Sequence, residues 1–392
     1  MRLADLPPLL RDEPALTRAL GEPDARLAVV EVARPIAIAA LVSLSNRRPL
    51  VVAAPTTTMA AQLGDDLTQF LPDDQVAVFP AWETLPFERV SPSVETMGQR
   101  LELLWRLRDP ERCPAVIVTG VRGLLQRLGP EATTTEPIIV HPGDTVDPEV
   151  LAARLVAFGY RREELVEHRG EFSRRGAIID VFPSTGDSPV RIDLWGDEVD
   201  RLTRFGVNDQ RSIDDLAEAL VFPARELIPT DDVRARASKL VATEPWGREQ
   251  WERLAEGALF DGMESWLPWL VDEDQLLTDV LPERAKVLLV EPRRMRDRAL
   301  DLLAEEDDLA NALASTWERD PTRVFPRLHA DPDRLLAGHD AVWALDSSPE
   351  TPDTPVVQAS GWGPVVGDGA GLVNRLTQLL SEGYRVVVAA DG

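Results

Sequence analysis

The sequence predicts a multidomain α/β protein in which layers of parallel sheet flank an inserted α+β domain built on an antiparallel sheet. Between residues 25 and 119, short apolar runs alternate with amphipathic or alanine-rich stretches, the pattern of parallel strands covered by helices. From 159 to 211, apolar and polar residues instead alternate one by one. In Ala177-Ile178-Ile179-Asp180-Val181-Phe182 and Val190-Arg191-Ile192-Asp193-Leu194 one strand face is therefore dry and the other charged. Residues 212–345 read again as pieces of an α/β layer. The expected divisions are 1–133, 134–220, 221–345 and 346–392.

Element by element, residues 1–20 predict a short amphipathic helix with Pro7-Pro8 at its start. The apolar run Leu27-Ala28-Val29-Val30 precedes an alanine-rich helix over 35–43. Leu50-Val51-Val52-Ala53-Ala54 has the compact apolar composition of a buried strand, and Pro55-Thr56-Thr57-Thr58 caps a helix running to about 71. Strands are expected at 76–79 and 115–119, with a long helix over 93–107 between them. Ile138-Ile139-Val140 opens the inserted domain, His141-Pro142-Gly143-Asp144 is a turn, and Asp147-Pro148 starts a helix to 158. Gly196-Asp197 breaks the alternation as a hairpin turn does. Further on come a tryptophan-rich loop and helix at 257–281, the strand Lys286-Val287-Leu288-Leu289-Val290 and an acidic helical segment. A proline-rich linker at 347–356 precedes a last piece ending in a strand at 384–390. A hydrophobic strand that close to residue 392 lacks neighbours, which predicts a chain interrupted within a longer protein.

Composition narrows the function. A single cysteine, Cys113, excludes an internal disulfide and a cysteine-based zinc site, and points to a reducing, cytoplasmic setting. No apolar run is long enough to span a membrane. The net charge of −25 argues against the whole chain acting as a nucleic-acid clamp, although a local basic face can still take an acidic partner. The only lysines are Lys239 and Lys286, so no Gly-Lys-Ser/Thr phosphate loop exists. The four histidines are too scattered for a metal motif, and no Gly-x-Ser-x-Gly elbow supports a serine triad. No catalytic residue, metal or cofactor is expected, although an enzyme without a recognisable motif stays open.

Arginines are the main functional lead. Arg161, Arg162, Arg169, Arg174 and Arg175 are interleaved with Glu163, Glu164, Glu167 and Glu171. One reading is a solvated mixed-charge face of little energetic value. The other is a protein-docking surface, because the planar guanidinium fork suits carboxylates and Phe172 or Phe182 would serve as an apolar anchor.

The run Arg169-Gly170-Glu171-Phe172-Ser173-Arg174-Arg175-Gly176 through Phe182-Pro183, then Arg191-Ile192-Asp193-Leu194-Trp195-Gly196-Asp197-Glu198-Val199-Asp200 and Gln210-Arg211-Ser212, resembles the domain shared by the excision-repair protein UvrB and transcription-repair coupling factor, Mfd. The segment Phe79-Pro80-Ala81-Trp82-Glu83-Thr84-Leu85-Pro86-Phe87-Glu88 is similar to the Mfd type specifically. UvrB would carry a tyrosine-rich hairpin near there, and this chain has only Tyr160 and Tyr384.

The resemblance implies a degenerate helicase-like, P-loop-like parallel layer formed by two chain segments, with the antiparallel domain inserted. Val32-Ala33-Arg34-Pro35-Ile36 stands in the place of the phosphate loop, and Leu289-Val290-Glu291-Pro292-Arg293 in that of the metal and base pair of a helicase. It further implies a non-catalytic adaptor that recruits UvrA through Arg161 and Arg175, with Phe182, and with Arg174 if the register slips by one. RNA polymerase and double-stranded DNA would be engaged by regions beyond residue 392. The alternatives are a UvrB-like ATP-dependent DNA-repair enzyme and a direct DNA-binding module.

Overall fold

The computed structural model of the chain describes residues 2–85, 88–271, 275–314, 325–337, 342–359 and 369–387. Pro86 and Phe87 of the Trp82 motif, and residues 388–390 of the last expected strand, lie outside the described residues. The amino-terminal stretch is not one helix. Its prolines break it into 3-10 turns at Leu3–Asp5 and Pro7–Asp12, followed by α1 (Pro14–Gly21).

Then β1 (Ala25–Ala28), α2 (Arg34–Leu44), β2 (Leu50–Ala54), α3 (Thr57–Thr68), β3 (Val76–Phe79), α4 (Val94–Leu107), β4 (Val116–Gly120) and α5 (Val121–Leu125) follow in strict alternation. The Thr56 and Ser93 side chains accept hydrogen bonds from the Met59 and Thr96 amides, so two of these helices start where a hydroxyl satisfies a free first-turn donor. Pro35 sits in the first turn of α2, where its missing N–H costs nothing.

The middle of the chain contributes β5 (Ile138–Val140), α6 (Pro148–Ala157), β6 (Arg161–Arg162), β7 (Glu171–Arg175), β8 (Ile178–Val181), β9 (Val190–Trp195), β10 (Glu198–Phe205), β11 (Ser212–Asp215) and β12 (Ala219–Val221). Strands β6 to β11 form one sheet in order of sequence, antiparallel except for the β6–β7 pair, and β5 pairs with β12. Here the α/β reading from 212 onward fails for ten residues, since β11 and β12 belong with the antiparallel elements. β11 is the sheet's edge and mostly exposed, so Ser212-Ile213-Asp214-Asp215 shows no apolar alternation.

Helices α7 (Asp231–Thr243), α8 (Arg248–Ala255) and α9 (Leu267–Leu270) come next, so this stretch is helical. They gather Trp246, Trp251, Trp266 and Trp269 into one aromatic cluster. The chain re-enters the first layer with β13 (Lys286–Val290), α10 (Pro292–Ala314) and β14 (Trp343–Asp346), and α11 (Gly369–Ser381) lies beyond.

All six strands of the large sheet are parallel, in the order β1-β14-β13-β2-β4-β3. Two chain segments thus interdigitate, because β13 and β14 lie between β1 and β2. β2 and β13 are buried along their whole length, the property that makes them read as continuous apolar runs. Alternate residues feed opposite cores. Val52 packs with Ile38 and Leu41 on one side, and Val51 with Leu104 and Leu289 on the other.

Two further expectations change. The proline-rich 347–356 stretch is no free linker, for the Ala28 amide donates to the Pro355 carbonyl at 2.8 Å and Val357 donates back to Ala28 at 2.9 Å. It continues the β1 edge. Residues 384–387 form no strand and are largely exposed, since no described strand lies beside them to pair with.

Candidate docking face

Residues alternate across β7, and the alternation separates the candidate arginines. Phe172 is fully buried in the core that α6 covers, together with Ile179, Val181, Ile192 and Leu202. Arg174 is in phase with Phe172, and at the rim of that covered face it forms an ion pair with Glu149 of α6. Glu171, Ser173 and Arg175 point the other way. Arg161 stands opposite Glu171 in the β6–β7 register, which puts Arg161 and Arg175 on one face of the sheet. Arg174 thus lies on the face covered by α6, and Arg175 on the opposite face with Arg161.

Two buried carboxylates hold these arginines. Glu171 accepts the Glu167 and His168 amides at 2.9 Å each and receives Arg161 at 3.4 Å, while the Arg161 side chain stays 71% exposed. Asp180, 1% exposed, is gripped by Arg191 through Nε at 2.7 Å and Nη2 at 3.0 Å, and also accepts Arg175 Nη2 at 2.7 Å. One carboxylate thus serves two guanidinium groups. The hydrogen bonds to Asp180, acting ahead of the opposing effect of burial, hold the Arg191 pKa above its ordinary value. Arg191 also lies 4.7 Å over the Phe205 ring, so it belongs to the support.

Phe182 shares the charged face with Asp180 but is covered, only 7% exposed, packed with Val166 and Phe205 under the loop between β6 and β7. Arg169 lies 5.4 Å over its ring and donates to the Gly186 carbonyl at 2.9 Å. Neither phenylalanine weighed as an exposed anchor is exposed. A cleft of about 590 Å³ separates this face from the 89–97 segment, with Arg89, Arg161, Arg169 and Arg225 along its walls.

The two places compared with a nucleotide site meet in space. Arg34, at the start of α2 and 3% exposed, donates to Glu291 at 2.6 Å and to the Ser347 hydroxyl at 2.6 Å. Arg294 donates to the other Glu291 oxygen at 2.9 Å. Burial raises the Glu291 pKa, but the hydrogen bonds from Arg34, Arg294 and Ser347 outweigh it and bring the group down to about 2. An internal ion pair therefore occupies the ends of β13 and β14. No cluster of His, Cys, Asp or Glu suited to a metal occurs among the described residues. His329 is buried against Glu306 at 3.0 Å.

Residues 138–227, the stretch that builds this face, match the family model of the UvrB interaction domain. Over about three quarters of its length the chain is similar to transcription-repair-coupling factors. It is 40% identical over 304 residues to that of Mycobacterium tuberculosis, 31% over 300 to that of Bacillus subtilis and 29% over 303 to that of Escherichia coli. These matches cover 74%, 72% and 75% of this chain but only 24%, 25% and 24% of the relatives, so the chain spans about a quarter of their length. The resemblance read from the motifs is borne out: residues 138–227 match the UvrB interaction domain, and about three quarters of the chain is similar to transcription-repair-coupling factors. No helix among the described residues is long and apolar enough to cross a membrane.

Proposed function

We propose that this chain is a non-catalytic adaptor that docks UvrA and thereby brings excision repair to stalled transcription. The carrying observation is the shared face of Arg161 and Arg175. Each is braced by a buried carboxylate, and Arg175 spends only one nitrogen on that brace, which leaves donors for carboxylates of a partner. Such pairs contribute orientation and association rate more than net affinity. Arg174, committed to Glu149, and Phe182, covered by its loop, support the face without forming it.

The flanking layer reads as a nucleotidase-like fold whose ATP site has gone. Arg34 replaces the glycine and lysine of a phosphate loop and is itself tied to Glu291. In this reading RNA polymerase and double-stranded DNA are handled by other regions of the full-length protein, and the chain works in the cytoplasm without cofactor.

Titration of UvrA against the chain and its Arg161→Ala/Arg175→Ala double variant tests the proposal. A loss of at least about 30-fold, with the melting temperature unchanged, is expected. Equal affinities would remove the docking assignment, and robust ATP turnover by the purified chain would remove the non-catalytic one.

A further inference from the structure

Trp195 stands apart from the other described tryptophans. Trp82, Trp105, Trp251, Trp266 and Trp343 are buried and Trp246 and Trp269 half-buried, whereas Trp195 is 82% exposed. It ends β9, in phase with Arg191 and Asp193, and therefore lies on the charged face and not on the core face with Ile192 and Leu194. The β8–β9 register pairs Ile178 with Asp193, and the Leu194 amide donates to the Ala177 carbonyl at 2.9 Å. The next position along that register sets Trp195 beside the turn at Gly176, directly after Arg175. Space there is open, since nothing lies within 4 Å of where a Cβ on Gly176 would stand. Among the described residues the indole has no aromatic or cationic neighbour stacked on it and no hydrogen bond for its N–H.

A folded chain gains nothing from leaving its largest apolar side chain in water, and burial of an indole by a partner is among the strongest single contributions to association. We propose that Trp195 is the apolar anchor of the docking face, inserted into a recess on the partner while Arg175 pairs with carboxylates at the rim of that recess. This rests on the docking reading above and deepens it. It supplies the exposed aromatic group that neither Phe172 nor Phe182 provides. The docking reading sets the partner's chemistry: Arg175, 47% exposed and with one nitrogen on Asp180, keeps guanidinium donors beside the indole for carboxylates of a protein partner, while Asp193 and Glu198 balance the remaining charge of this end of the face. The adjacent Ile178, half-buried and paired with Arg175, extends the apolar ground. The hairpin also fixes the backbone from which the indole projects, because Trp195 pairs with Glu198 across the Gly196-Asp197 turn and is not on a long loop.

The experiment titrates UvrA against the 392-residue chain and its Trp195→Ala, Trp195→Phe and Arg175→Ala variants at low and high salt. Trp195→Ala is expected to weaken binding at least about 30-fold at both salt concentrations, because removal of apolar burial is not screened. Trp195→Phe is expected to recover most of the affinity, and the effect of Arg175→Ala to shrink as salt rises. Melting temperatures of the Trp195 variants should match that of the parent, given the exposure of the side chain. Wild-type affinity in Trp195→Ala with a clear loss in Arg175→Ala would overturn this inference and leave the docking reading standing. Wild-type affinity in both would overturn both.

Discussion

The chain uses the same pairing of arginine and carboxylate in two ways, and burial separates them. At Arg100–Glu226 both side chains are fully buried, with Nε and Nη2 of Arg100 at 2.8 and 3.2 Å from the two carboxylate oxygens. The Trp82 indole donates to the same carboxylate at 2.8 Å and Arg100 also donates to the Pro80 carbonyl. Every group is satisfied, so the pair locks the segment returning from β12 against α4 and has nothing left to offer. At Arg175–Asp180 the carboxylate is buried but the guanidinium is 47% exposed and only partly used. The first arrangement is a clamp and the second an instrument. Arg34–Glu291 stands nearer the clamps, with Arg34 buried and Glu291 19% exposed.

Four predictions sharpen or break this contrast. The largest effect is expected at Arg100→Ala, which leaves Glu226 buried with only the Trp82 indole. Denaturant titration should show a loss of about 4 kcal/mol, the range for breaking a buried pair from one side. A loss below about 1 kcal/mol would erase the distinction between clamp and instrument.

Arg34→Met should remove roughly 3 kcal/mol, moderated by Arg294, which still reaches Glu291. The effect has a pH signature. The folded-state pKa of Glu291, about 2, lies below its ordinary 4.5, so its stabilising contribution is complete above pH 4.5 and is lost as pH falls toward 2. The stability difference between parent and variant should be flat near neutrality and narrow across that acid window. A difference that stays constant to the acid limit would detach the effect from Glu291.

Asp180→Ala strips Arg191 of its bidentate partner and Arg175 of its brace. A stability loss of about 2 kcal/mol is expected in the same titrations, together with weaker UvrA binding although Asp180 itself is buried and touches no partner. The smallest stability effect belongs to Arg175→Ala, within about 0.5 kcal/mol, because an exposed arginine on an edge of the network contributes little to folding. Its effect should appear in UvrA affinity. A stability loss as large as that of Arg100→Ala would mark Arg175 as a clamp and remove it from the docking face.

Much of the architecture was legible beforehand because burial and periodicity are local. Leu50-Val51-Val52-Ala53-Ala54 is apolar at every position and became a central strand buried on both faces. Val190 to Leu194 alternates and became a half-covered strand. Errors arose where a neighbour decides. The 384–387 stretch has strand composition but no strand beside it among the described residues, and Ser212–Asp215 has edge-strand composition that periodicity does not register. The proline-rich 347–356 stretch has a linker's composition, yet its end is bonded to Ala28.

At the candidate docking face, the sequence by itself determined that arginines and carboxylates alternate with apolar residues, and hence that a charged face exists. It also determined that no lysine could serve a phosphate loop. Which arginine points outward was decided only by tertiary structure. Arg174 and Arg175 are chemically identical neighbours, and the pairing of β6 with β7 and the placement of α6 assign one to Glu149 and the other, half exposed, to Asp180 on the opposite face. Phe182 and Trp195 illustrate the same division. Both occupy the charged face by phase, but a loop contributed by distant residues buries the first and leaves the second bare. A strand's period of two is written in adjacent residues; what covers a face is set by chain segments far away in sequence, and only the folded molecule brings them there.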